Sequence, residues 1–232
     1  MKHCVRGVLA SFIVALTVTD SATAQTGPAG PAGPTGPAGP LRSDPAAVER
    51  ARADSMRRPY TEADISFISG MIAHHSQAIA MARLAPQRGA GDPVRRLAER
   101  IINAQQDEIS LMRYWLLDRN RPVPDPDPRG LKMGTGAGEH YMLMPGMLPP
   151  EQLRSLEAAR GDEFDRLFLT FMIEHHRGAV QMVRNLFTHP GAGQDETVWR
   201  LASDINADQT TEIARMQRML ASVTLGIPAR YP

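Results

Sequence analysis

The chain has 232 residues, with 26 Lys and Arg against 25 Asp and Glu and a formal net charge of +1. This length supports one or two domains with a real core, and the even charge balance argues against a nucleic-acid binder or a polybasic membrane protein. The single cysteine, Cys4, sits in front of an apolar leader, so disulfides contribute nothing to the stability of the chain beyond that leader.

At the N-terminus, Lys2 and Arg6 precede an apolar stretch from Val8 to Val18 and then Ala22-Thr23-Ala24. That order predicts a removable export signal over residues 1–24. The stretch is far shorter than the ~20 residues that span a bilayer, and Cys4 lies where a lipoprotein acceptor would not. Residues 25–43 hold a Gly-Pro-x tract from Gly27 to Pro40. So few triplets make a poor triple helix, and the tract reads as an extended polyproline spacer, ~40 Å long at ~3.1 Å per residue.

Folded sequence is expected over residues 44–220. Pro45 in a first helical turn and Ala46 to Met56 predict a short helix ended by Pro59. After it the chain repeats itself. Asp64, Phe67, Met71, Ile72, His74, His75, Ala78, Met81 and Arg83 recur 101 residues later as Asp165, Phe168, Met172, Ile173, His175, His176, Ala179, Met182 and Arg184. A second segment repeats at an offset of 104: Val94, Leu97, Ala98, Ile101, Gln105, Glu108, Ile109, Met112 and Leu116 match Val198, Leu201, Ala202, Ile205, Gln209, Glu212, Ile213, Met216 and Leu220. The repeats span 60–117 and 161–220, leaving 221–232 as a tail.

Both segments step by three and four, the spacing of a helix with one broad apolar face. Thr61-Glu62-Ala63-Asp64 reads as a capping box, and Asp162 to Asp165 place an N-cap candidate and an acidic third residue at the matching positions. Asp64 and Asp165 are therefore read as caps in preference to ligands. Two hairpins, neither able to bury its face alone, predict an all-α four-helix bundle. No stretch alternates as a strand. Asp118 to Pro149, rich in Pro and Gly, reads as a long crossover, and it carries Met133, His140, Met142, Met144 and Met147.

Each first helix places two imidazoles at the middle of its buried face, where they need partners. Gln105 and Glu108, with Gln209 and Glu212, are the natural ones. Thioether sulfur favours Cu(I), whereas imidazole accepts copper, zinc, iron or nickel, so His and Met together point to copper first, Cu(I) ahead of Cu(II), with zinc or iron as alternatives. The metal candidates are His74, His75, His175, His176, Met71, Met81, Met172 and Met182. Neighbouring histidines diverge by ~100° on a helix, so unless another helix helps, His74 and His75 either serve different sites or one of them supports a ligand without touching the metal. Met112 and Met216 read as core packing. Met142, Met144 and Met147, near His140, suit either Cu(I) capture or closure of the bundle end.

The doubled Met-Ile-x-His-His pattern, the doubled Gln-x-x-Glu-Ile-x-x-Met pattern from Gln105 and Gln209, and Met144-Pro145-Gly146-Met147 resemble the domain of unknown function 305 family over about Tyr60 to Leu220. The resemblance implies an exported, ferritin-like helical bundle. It also implies periplasmic copper binding of the kind some members are implicated in, and it supports the same eight His and Met residues as the metal site.

The expected function is copper sequestration or chaperoning in the periplasm or outside the cell, without a catalytic step, with the metal ion and another copper-handling protein as partners. A ferritin-like di-metal oxidoreductase is the alternative from another class. It would need Glu-x-x-His motifs, yet Leu111 and Arg215 stand three residues after Glu108 and Glu212, and Glu174 directly precedes His175. A third reading is a structural or interaction module of the cell envelope with hydrogen-bonded core histidines.

Overall fold

The structure is a computed structural model that describes residues 59–226 and the isolated Pro45. The expected signal, the Gly-Pro tract, the short helix after Pro45 and the last tail residues lie outside the described residues. Five helices make up most of the rest: α1 (Glu62–Ala82), α2 (Asp92–Asp118), α3 (Pro150–Ala158), α4 (Gly161–Leu186) and α5 (Glu196–Leu225). α5 thus continues past the expected boundary at Leu220 and stops where Gly226 takes a left-handed conformation. No helix among the described residues is long and apolar enough to cross a membrane.

The architecture is the duplicated bundle. α1 packs on α2, α4 packs on α5, and the two hairpins meet chiefly through α1 and α4, while α2 and α5 touch little. The core has two apolar layers. One gathers the C-terminal half of α1 (Ala78, Met81, Ala82) with the N-terminal half of α4 (Phe164, Phe168, Leu169, Met172). The other gathers Phe67, Ile68, Met71 and Ile72 of α1 with Ala179, Met182, Val183 and Leu186 of α4. α1 and α4 are therefore antiparallel, and the middle of each of the four long helices falls between the two layers.

Caps and loops fix the ends. Thr61 and Asp64 form the predicted capping box. The matching box in the second repeat is absent: α4 begins at Gly161, preceded by Arg160 with no side-chain cap, because α3 feeds into it almost directly. Asp165 instead accepts from the Gly91 N–H at 3.0 Å, and Asp64 accepts from the Gly193 N–H at 2.7 Å. Each first-helix aspartate thus reaches the inter-helix loop of the other repeat. A Cβ on Gly91 would lie 2.9 Å from Asp165 Oδ2, so any larger residue there would push the carboxylate aside.

The crossover holds a two-stranded antiparallel hairpin that no sequence signal announced, β1 (Leu131–Met133) and β2 (His140–Met142). Three-residue strands are too short to show alternation. Further on, Gln77 of α1, fully buried, donates to the carbonyls of Pro128 and Leu148 and accepts from the Leu148 N–H at 2.6 Å, tying two points of the crossover to the bundle. The position of Gln77 in the second repeat is Gly178, where a Cβ would come within 1.9 Å of the Pro145 carbonyl oxygen. One repeat binds the crossover and the other makes room for it.

Candidate metal centre

Between the two apolar layers lies a polar one. His74, His75, His175 and His176 have no exposed surface, and Gln105 and Gln209 are almost as deeply buried. The helices place them there by register: the histidine pairs are mid-α1 and mid-α4, and the Gln-x-x-Glu motifs are mid-α2 and mid-α5. Methionines border the layer on both sides, with Met71, Met112 and Met182 in one apolar layer and Met81, Met172 and Met216 in the other.

Both repeats build the same pair. His75 Nε2 lies 2.7 Å from Glu108 Oε2, and His176 Nε2 lies 2.7 Å from Glu212 Oε2. These carboxylates are the expected partners, whereas Gln105 and Gln209 bond no imidazole and their buried Oε1 atoms have no partner. His74 takes a partner the sequence did not suggest: its Nε2–H donates to the Pro145 carbonyl of the crossover at 3.1 Å. With Nε2–H committed to the Pro145 carbonyl, the Nδ1 of the neutral His74 ring carries a lone pair that meets no donor; the buried Nδ1 atoms of His75 and His176 have no partner, and neither ring nitrogen of His175 has one.

His74 and His175 face each other across the α1–α4 contact, ring centroids 3.8 Å apart and planes inclined by 36°. Burial, and after it the neighbouring imidazoles, chiefly His75 for His74 and His74 for His175, push both well below the usual histidine range. Both are neutral at physiological pH, the state that ligates a metal. A ligating histidine commonly donates its other N–H to a carboxylate or backbone carbonyl, and His74, His75 and His176 do so here. Among the described residues no three His, Cys, Asp or Glu side chains are gathered as a metal cage. The donors are paired, and thioethers or turned rings would have to complete a coordination shell.

The loosely packed α2–α5 seam opens a cavity of about 240 Å³ lined by Gln105, Glu108, Asp208, Gln209, Glu212 and Arg215, among others. It is the polar side of the histidine layer. Burial, followed by the charges of Glu108 and Glu212, raises the Asp208 carboxyl.

Of the remaining candidates, Met144 and Met147 do reach the bundle. Met147 is buried, its sulfur accepts from the Met144 N–H at 3.3 Å, and Met144 packs on the layer holding Met71 and Met182. Gly70 leaves room for it, since a Cβ there would lie 2.8 Å from Met144 Sδ. His140 and Met142 are exposed on the hairpin and do not join the buried layer. Met112 and Met216 are fully buried, each in one of the two apolar layers. Pro145, Gln77 and Gly178 were not legible as site residues, although the swap of Gln77 for Gly178 at one repeat position was a visible break in the duplication.

Fold and site together define a duplicated four-helix bundle with a buried imidazole layer bordered by thioethers. The chain belongs to the family described as Domain of unknown function (DUF305), whose signature matches residues 64–220. Similar solved structures include a Streptomyces coelicolor DUF305 protein described as secreted, at 28% identity and a TM-score of 0.58, covering 73% of this chain and 98% of that one. A DUF305 fragment from Deinococcus radiodurans matches at 28% identity and a TM-score of 0.57, covering 70% and 98%. CopM in its Cu(II)-bound form matches at 34% identity and a TM-score of 0.52, covering 68% and 96%. CopM in its Cu(I)-bound form matches at 31% identity with the same TM-score and coverage. No curated protein matches the chain.

Proposed function

We propose that this protein is an exported copper-binding protein that sequesters or passes on the ion without a catalytic step, using the imidazole layer of the bundle and its bordering methionines. The observation that carries this reading is the set of buried, unpartnered ring nitrogens on His74, His75, His175 and His176. An unsatisfied buried polar group costs about 1–3 kcal/mol, and several in one buried layer are a standing cost that a bound cation would remove.

The donor types favour copper. Neutral imidazole with thioether nearby, and no thiolate, suits Cu(I) and also accepts Cu(II). The likeness to CopM, solved with both ions, supports the same choice. His74, His75, His175 and His176 would supply nitrogen, Met71, Met81, Met172 and Met182 sulfur, and Glu108 and Glu212 would orient the second imidazole of each pair. Export accords with the leader sequence and with the Streptomyces relative described as secreted.

A competition titration of the full chain with Cu(I) under anaerobic reducing conditions, and separately with Cu(II) and Zn(II), tests the reading. Tight Cu(I) binding that His74→Ala with His175→Ala weakens, at unchanged helicity, is the expected result. Binding that survives the double substitution, or weak binding of every metal, would return the histidines to a structural role.

A further inference from the structure

The hairpin of the crossover carries chemistry that the buried layer does not use. β1 and β2 pair Met133 with His140 and Leu131 with Met142. Side chains alternate across a strand, so Met133, His140 and Met142 share one face. That face is open to solvent: Met133 is 37% and Met142 42% exposed, and His140 is exposed as well. A direct cross-strand pair is about 5 Å apart at Cβ and a diagonal one about 7–8 Å, both within the span of methionine and histidine side chains.

The other face braces the hairpin. Arg129 lies over the Tyr141 ring at 4.1 Å and donates to its hydroxyl at 2.6 Å. Lys132 pairs with Glu139 at 2.7 Å. The turn is held by Gly134 with φ 72°, where a Cβ would meet the Gly138 carbonyl oxygen at 2.5 Å. His140 is oriented by the same turn, its Nδ1–H donating to Gly138 O at 3.1 Å. In the neutral ring that bond leaves Nε2 as the lone-pair nitrogen. A ring with one N–H on a backbone carbonyl and the other nitrogen free is the arrangement of a metal-ligating histidine.

We propose that the β1–β2 hairpin is a second, surface site for a soft monovalent cation, Cu(I) or Ag(I), with Met133 Sδ, Met142 Sδ and His140 Nε2 as its donors. Two neutral sulfurs and one neutral nitrogen, with no anionic oxygen on that face, select a soft ion over zinc, calcium or magnesium. The site stands on its own donors and does not depend on the buried layer. It differs from that layer in access, because an ion reaches it without the bundle opening.

The test is a titration of the full chain with silver nitrate in chloride-free buffer, read by NMR of isotope-labelled methionine methyl groups. Met133→Leu and Met142→Leu assign the hairpin signals, and neither position is buried, so folding is not at stake. The expected result is that both hairpin methyls shift together and saturate with one ion. In His140→Gln the apparent affinity read from them should fall at least about tenfold, the low end of the loss for a disturbed metal shell. Hairpin methyls that stay in place while Met71 and Met172 respond would overturn the hairpin site and leave the proposed function intact. Hairpin shifts with silent Met71 and Met172 would do the reverse. Silence from all of them would overturn both.

Discussion

The metal-free fold should lose stability on mild acidification, and the structure gives the size of the loss. His74 and His175 are fully enclosed, and burial holds both well below the ordinary value of 6.5. Unfolding returns them to water. Below that value the unfolded chain takes up a proton at each ring while the folded one does not, so stability falls as pH drops, beginning at the unfolded value and continuing down to the folded ones. Above it both states are neutral and the two rings contribute no slope. Between about pH 7.5 and about pH 5.5 each ring should remove about 1.4 kcal/mol, and the pair about 2.7 kcal/mol. This is a large share of the roughly 5–15 kcal/mol typical of a domain. The carboxyls raised by burial, Asp165 and Asp208, act in the opposite direction, and they are common to parent and variant. Urea titrations of chelator-treated protein, followed by far-UV circular dichroism, measure the slope, and His74→Gln with His175→Gln isolates it. The double variant should lose about 2.7 kcal/mol of pH dependence whatever its absolute stability. A variant as pH-dependent as the parent would refute the account of a neutral, desolvated pair.

Other outcomes rest on named contacts. Gly178→Ala gains about 1 kcal/mol of helix propensity, yet its Cβ would meet Pro145 O at 1.9 Å; a net loss of about 1–3 kcal/mol is expected from such overpacking, and a stabilised variant in urea would contradict the close approach. Gln77→Leu removes three hydrogen bonds and leaves the Leu148 N–H unpaired, a loss of about 2–3 kcal/mol, with limited proteolysis expected to cut the freed crossover first. Asp64→Ala should cost about 2–4 kcal/mol, because it deletes the carboxylate's bonds to Thr61 and to Gly193, whereas Asp165→Ala, which has no cap to lose, should cost about 1–2 kcal/mol; equal values in chemical denaturation would show that the carboxylate half of the capping box adds nothing. Glu108→Gln with Glu212→Gln should lower copper affinity about 10–100-fold with helicity unchanged, and calorimetry giving parental affinity would exclude the two carboxylates from the site.

Much of the bundle was readable because the signals are local. The recurrence of Met71, His74, His75 and Met81 as Met172, His175, His176 and Met182 declared the duplication, and steps of three and four declared helices with one buried face. Glu108 and Glu212 were expected to meet histidines, and do. Gln105 and Gln209 were expected to as well, and their Oε1 atoms end without a partner. The second capping box failed for a related reason: Asp162 to Asp165 have the right residue types, but α3 runs into the start of α4, and Asp165 is drawn to Gly91.

By itself, then, the sequence determined the four long helices, their buried faces, the doubling and which imidazoles and thioethers lie on those faces, because these depend on spacing along a single helix; the short α3 was not among the predicted elements. Only the tertiary structure decided how those side chains face one another. The antiparallel docking of α1 on α4 sets His74 against His175, the crossover brings Pro145 to His74 and locks its tautomer, and strand register gathers Met133, His140 and Met142 on one open face. Each of these depends on contacts between residues far apart in the chain, whose geometry is set by how whole elements pack and leaves no periodic trace in the residues themselves.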